Sequence, residues 1–197
     1  LVVIILLLSA SSSLLDSPSL APYPSPEELA AEVQSLVAER PDRAELLVIA
    51  RSAGGREILC LRIHRGDGIE RPAALIGGAI HGDEFIANRT AMAAARLLLG
   101  GDPAAEEALE KMEVYVLPLI NPDGYQATWD SGGGEAPKQT RTNARGVDLN
   151  RNFGKPEKNL PLPLGFSGST DPESTRWVGP APLSEPETRA VIELARE

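Results

Sequence analysis

The chain is poor in cysteine, histidine, aromatic side chains and positive charge. Its one cysteine, Cys60, excludes an internal disulfide framework. Cys60 lies in a strand-like run without the histidine and carboxamide signature of a thiol nucleophile, so it reads as a core thiol. Lys and Arg number 19 against 28 Asp and Glu, a net charge of -9, and no basic run occurs. Nucleic acid is therefore disfavoured as a partner, because phosphate contacts need clustered Lys and Arg. The N-terminal apolar run, Leu1 to Leu8, is too short to cross a hydrocarbon core of ~30 Å. Only two histidines are present, His64 and His81.

What is present begins with that apolar run. Leu1 to Leu8 is followed by Ser9-Ala10-Ser11-Ser12-Ser13, the pattern of a signal-peptide h-region running into small residues. Secretion or a periplasmic location is the expectation. The initiator Met and the basic n-region are missing, so the N-terminus reads as clipped. Residues 1–24 are assigned to a signal-peptide remnant and a Ser/Pro-rich linker, and 25–197 to one folded domain, long enough for a sizeable core.

Ser25-Pro26-Glu27-Glu28 supplies an N-cap, a proline at the first helical position and a capping-box acid. Leu29, Val33, Leu36 and Val37 follow at helical spacing, predicting an amphipathic helix over 26–40 that Pro41 stops. Leu46 to Ala50 and Glu57 to His64 read as strands of a hairpin around Ala53-Gly54-Gly55. Ala73 to Ile80 is nearly continuous apolar sequence, as for a central strand covered on both faces. Helices are predicted over Phe85 to Leu99, closed by Gly100-Gly101, and over Ala104 to Lys111 behind Asp102-Pro103. Val114 to Ile120 is another buried strand. Asn121-Pro122-Asp123-Gly124 has turn chemistry. Gln126 to Gly146 and Asn152 to Pro182 read as loops, with Trp129 and Trp177 in them as cleft-lining or local core residues. Ser184-Glu185-Pro186-Glu187 is a second capping box, opening a helix that runs to Glu197. Strands alternating with helices predict an α/β class: an α/β/α sandwich with a mixed sheet.

His81-Gly82-Asp83-Glu84 carries the first chemistry. An imidazole and a carboxylate three residues apart, at the end of a buried strand, are able to close on one metal ion. Zinc takes nitrogen and oxygen ligands at ~2.0–2.2 Å, and a catalytic site needs three protein ligands with one position open. The spacing alone is weak evidence. Its placement is stronger, because ligands of α/β enzymes gather beyond the carboxyl ends of the strands. His64 reads as a strand-end residue rather than a ligand.

The segment Arg141-Thr142-Asn143-Ala144-Arg145-Gly146-Val147-Asp148-Leu149-Asn150-Arg151 adds to this. With His81-x-x-Glu84, Asn121-Pro122-Asp123-Gly124-Tyr125 and Ser184-Glu185-Pro186-Glu187-Thr188, it resembles the zinc metallocarboxypeptidase family, the carboxypeptidase A/B-like peptidases, with spacing nearest the short bacterial members. The resemblance covers about residues 24–197. It implies a mixed eight-stranded sheet flanked by helices, of which this chain supplies the first part. It implies one Zn(2+) ion held by His81 and Glu84, with Asp148 accepting the other ring N–H of His81. It implies that Asn150 and Arg151 grip the terminal carboxylate of a peptide, for which the Arg fork is suited. Arg141 matches the arginine that steadies the developing oxyanion; Arg145 competes with it. Asp123-Gly124 and Ser184 to Thr188 are read as structural, a turn and a helix start.

The family's third zinc ligand is a histidine shortly after the Ser-Glu-Pro-Glu-Thr segment, and its catalytic glutamate comes much later. Neither has a counterpart here, so the sequence reads as the N-terminal part of a longer domain, inactive alone. A zinc-dependent hydrolase removing C-terminal residues from peptides is expected, as a monomer. A murein-peptide amidase of the same fold, or a non-catalytic domain binding peptide C-termini, are the alternatives.

Overall fold

Helix α1 (Pro26–Glu39) shows how directly local chemistry sets an element. The Ser25 hydroxyl accepts the Glu28 N–H at 3.1 Å and the Glu28 carboxylate accepts the Ser25 N–H at 2.7 Å, with Pro26 in the first turn. Leu29, Val33 and Leu36 form its buried stripe. These observations come from a computed structural model, which describes residues 23–132, 140–154 and 168–196. The signal-peptide assignment over 1–22 lies outside the described residues, as does much of the two expected loops. Tyr23 and Pro24, placed in the linker on composition, lie against the domain.

Four strands follow: β1 (Ala44–Arg51), β2 (Glu57–Ile63), β3 (Ala73–Gly77) and β4 (Glu113–Leu117). Their order in the sheet is β1-β2-β4-β3, antiparallel except for the parallel β3–β4 pair. The sheet is mixed, as expected. Between β3 and β4 run helices α2 (Phe85–Leu99) and α3 (Pro103–Lys111); the Asp102 side chain caps α3. After β4 come α4 (Pro122–Asp130), the one-turn α5 (Leu149–Asn152) and α6 (Pro186–Leu194).

The side-chain period of the strands sorts the core into two layers. Leu61 and Ile63 of β2 and Val114 and Val116 of β4 face α1, α2 and α3. Cys60, Leu75 and Leu117 face the other way, against Leu149 of α5 and Val191 of α6. Helices therefore cover both faces of the sheet. Cys60 is wholly buried, and burial pushes its thiol up to about 12, so it is a core residue with no thiolate character.

Three expectations are corrected. The apolar run 73–80 is not one strand throughout: β3 stops at Gly77, after pairing with β4 over its whole length. Residues 78–80 are apolar because they are buried on the far side of the strand end, where Gly78 and Ala79 bond to Leu117, Ile120 and Asn121. Asn121-Pro122-Asp123-Gly124 does not make a free turn; it opens α4, with Asn121 as the cap that accepts the Gly124 N–H at 2.9 Å. Turn and helix-start chemistry use the same residues, and Trp129 consequently lies in a helix. The Ser184 capping box does not form. Glu185 is the N-cap without a side-chain cap bond, and the helix ends at Leu194 rather than Glu197.

Candidate active site

β3 and β4 end side by side, and the chain leaves both toward one corner. After Gly77, Ala79 takes a φ of 42°. That left-handed conformation costs a non-glycine residue about 1 kcal/mol or more and is held by its surroundings. It turns the chain so that His81 sits buried at the sheet rim. Three backbones then meet. Gly82 donates its N–H to Thr140 O at 2.7 Å, and Asn121 Nδ2 donates to Thr142 O at 3.0 Å. A β-carbon on Gly82 falls inside the Gly124 carbonyl, and one on Gly124 lies 2.8–2.9 Å from the Thr142 and Thr140 oxygens. Two glycines thus allow the His81, Asn121 and Arg141 segments to pack main chain on main chain.

That packing gathers four predicted residues. His81 Nδ1 lies 2.8 Å from Glu84 Oε1, and His81 Nε2 lies 3.1 Å from Asp148 Oδ1. Arg141 donates through Nε and Nη2 to Asp148 Oδ2, at 3.0 and 2.8 Å. Asp148 Oδ1 also accepts the Asn150 N–H at 3.0 Å, capping α5. Wholly buried Asp148 therefore carries four donors on two oxygens, about all that a carboxylate accepts. Burial opposes its charge, but the His81 ring and the Arg141 guanidinium outweigh it and hold the carboxyl below its ordinary range. Burial likewise opposes charge on His81, and the Asp148 and Glu84 carboxylates overcome it, raising the imidazole above its usual value.

Both ring nitrogens face carboxylate oxygens. One N–H serves Asp148; the contact with Glu84 then needs either a second ring proton or a shared cation. This convergence of Nδ1 and Oε1 suits a metal with nitrogen and oxygen preference. Among the described residues, no group of three or more His, Cys, Asp or Glu side chains is arranged to hold a metal ion. The residues present fit zinc as a pair of donors with an oriented imidazole, not as a full set.

The competing arginines separate. Arg141 turns to Asp148, whereas Arg145 reaches Glu185 Oε2 at 3.5 Å. Arg151, adjacent to Asn150 on α5, donates Nη1 to the Asn150 carbonyl at 3.0 Å and lines a cavity with Gly154, Ser169 and Val178. Burial holds its guanidinium below the ordinary value; Asp148 opposes this, and the charges of Arg176 and Arg141 add to it. Arg176, which sequence reasoning passed over, thus belongs to the same field. Trp177 contributes its backbone, accepting the Asp148 N–H at 2.9 Å. His64 stays out of the site: it follows β2 and accepts the Gly66 N–H at 3.0 Å.

Sequence reasoning also missed the support behind the loop. Asn143 Nδ2 donates to Glu185 Oε2 at 2.8 Å and to Glu187 Oε2 at 3.2 Å, while Asn143 Oδ1 accepts from Arg145 N and Val147 N. Glu187 also accepts the Ala53 N–H at 2.9 Å, and Asp123 takes Ser52, Gly54 and Arg56 of the same hairpin turn. Burial raises the Glu187 carboxyl above its ordinary value, with bonds from Ala53 and Asn143 opposing and nearby Asp123 adding.

A group with a raised folded value binds its proton more readily in the folded than in the unfolded state. Its ionisation therefore subtracts stability as pH climbs from the ordinary glutamate value, about 4.3, through the raised one. Urea midpoints of wild type and Glu187→Gln between pH 4 and 8 test this. The variant is expected to gain on wild type as pH rises through that window. A difference that stays flat with pH refutes the assignment.

Comparison with known proteins gives the family of the chain. A family model described as Zinc carboxypeptidase matches residues 29–197. Carboxypeptidase A2 of Rattus norvegicus is 29% identical over 180 residues, covering 88% of this chain and 41% of that protein. Carboxypeptidase B of Astacus astacus is 30% identical over 166 residues, covering 84% of this chain and 54% of that protein. The crystal structure of thrombin activatable fibrinolysis inhibitor superposes with a TM-score of 0.76 at 25% identity, covering 91% of this chain and 46% of that one. The chain spans about two fifths to half the length of these relatives. Because the match runs through both sheet layers and the whole His81–Asp148 corner, this chain belongs to the zinc carboxypeptidase family.

Proposed function

We propose that the chain serves a zinc-dependent, exported metallocarboxypeptidase, a hydrolase that removes C-terminal residues from peptides. The observation that carries this reading is the contact network joining His81, Glu84, Asp148 and Arg141. His81 and Glu84 would hold the ion, with Asp148 keeping the ring oriented. When bound, zinc supplies Lewis acidity and a water with a pKa lowered toward ~7. Arg141 commits Nε and one Nη2 proton to Asp148, and its other N–H groups remain to meet an oxyanion at the scissile carbonyl. Asn150 and Arg151 anchor the substrate's terminal carboxylate, so that the reacting carbonyl is positioned rather than merely bound. In this reading the described residues supply two donors, His81 and Glu84, short of the three that a catalytic zinc site needs.

Assay of the protein expressed from its full reading frame, on a peptide with a free C-terminus and on its C-terminal amide, decides the matter. Zinc-dependent cleavage of the acid alone is expected, lost in His81→Ala. Arg141→Ala is expected to lower kcat by about 10²–10³ with KM little changed. Arg151→Ala should mainly raise KM. A protein that binds zinc and cleaves neither these peptides nor a murein peptide added as a third substrate overturns the proposal, and cleavage confined to the murein peptide reassigns its substrate.

A further inference from the structure

Helix α2 starts at the site without a cap of its own. Its N-cap residue is Glu84, with φ -87° and ψ 57°, and the Glu84 side chain makes no capping bond. It is turned to His81 instead. No acidic residue follows in the first turn. A helix start in this condition leaves several N–H groups without side-chain acceptors and is prone to fray. Fraying here would release Glu84.

Another group holds this end. Phe85, the first helical residue, is buried between two tyrosines. Tyr23 stacks on it with centroids 5.0 Å apart, and Tyr125 meets it edge-on at 4.8 Å. The Tyr125 hydroxyl donates to Pro24 O at 2.7 Å, tying the segment that carries Tyr23 back to α4. Wholly buried Asn88, one turn into α2, sits beside that hydroxyl. Three of the eight aromatic side chains are thus spent on one helix start. Ser25 follows at once as the cap of α1, so both ends of the Tyr23–Pro24 segment are anchored.

We propose that Tyr23, Pro24 and Tyr125 are positioning residues: they clamp the start of α2 and thereby hold Glu84 against His81. The clamp substitutes for the cap that Glu84 gives up. It rests on the reading of His81 and Glu84 as a metal pair only for its purpose; the geometry stands apart from it. Maturation that leaves Tyr23 in place preserves the clamp, and a cut after Pro24 removes it.

The test compares the wild-type chain with Tyr23→Ala, Tyr125→Phe and a destabilising core control away from the tyrosines, Leu109→Ala. Amide hydrogen exchange over 85–88 is read against that of β4, with the 15N–1H signal of the His81 ring as reporter of its contact with Glu84. Tyr23→Ala is expected to speed exchange over 85–88 by about tenfold while β4 keeps its protection, and to broaden or shift the His81 ring signal. Tyr125→Phe, which keeps the ring and loses the bond to Pro24, should fall between. Leu109→Ala should lower the thermal midpoint without either selective change. Unchanged exchange over 85–88, or acceleration matched by the control, overturns the clamp. Faster exchange with an unaltered His81 signal overturns the positioning of Glu84. A separate zinc titration against His81→Ala judges the metal reading, and its failure leaves the exchange result to stand or fall alone.

Discussion

Gly82→Ala is expected to be among the most damaging single substitutions in the site, lowering stability by about 3 kcal/mol or more. The new β-carbon has no room, because it coincides with the Gly124 main chain rather than with a side chain that is free to swing away. Relief requires separating the His81 loop from the start of α4, which breaks the Gly82–Thr140 bond and loosens the loop bearing Arg141. Against a total stability of ~5–15 kcal/mol for a domain, that loss is large. Gly55→Ala separates crowding from strain: Gly55 has a φ of 87° and nothing within 4 Å of an added β-carbon. It is expected to lose only the left-handed penalty, roughly 1 kcal/mol. Urea denaturation of both variants measures the contrast. Equal losses, or a Gly82→Ala protein as stable as wild type, would show that the backbones do not meet as described.

Asp148→Ala is expected to be comparably costly, at about 3–5 kcal/mol, the range for breaking a buried ion pair by removing one partner. Three groups lose their acceptor together: the His81 ring, the Arg141 fork and the Asn150 N–H. For a domain of this size the thermal midpoint should drop by roughly 10 °C. Asp148→Asn does not rescue it, since the amide replaces one acceptor oxygen with a donor that meets Arg141 or the Asn150 N–H head-on. A double-mutant cycle with Arg141→Ala is expected to recover part of the loss, because the guanidinium is then no longer left unpaired. Strict additivity in that cycle would mean that Arg141 and Asp148 do not act as a pair.

Much of the architecture was legible because it is written in short-range periodicity. The Ser25–Glu28 cap, the stripe on α1 and the Asp102-Pro103 start of α3 need only neighbours a few residues apart. The length of the strand in 73–80 was misread for a related reason: continuous burial looks the same in a long strand as in a short strand followed by a buried turn. Asn121-Pro122 was misread because cap and turn share residues. At the site, the candidate side chains were recognisable by kind and order. Their supporting cast was not: nothing local marks Glu185 and Glu187 as buried acceptors for Asn143, or Arg176 as a charge acting on Arg151.

By itself the sequence determined the capped starts of α1 and α3, the presence of the hairpin strands, and the chemical identity of the donors, because each depends on bonds and spacings within a few residues. Only tertiary structure decided that β3 pairs with β4 rather than with β2, that Arg141 rather than Arg145 meets Asp148, and that His81 and Asp148, 67 residues apart, share a bond. Such contacts form when distant segments close on one another, and the permission for that closure lies in two glycines whose role appears only once their backbones touch.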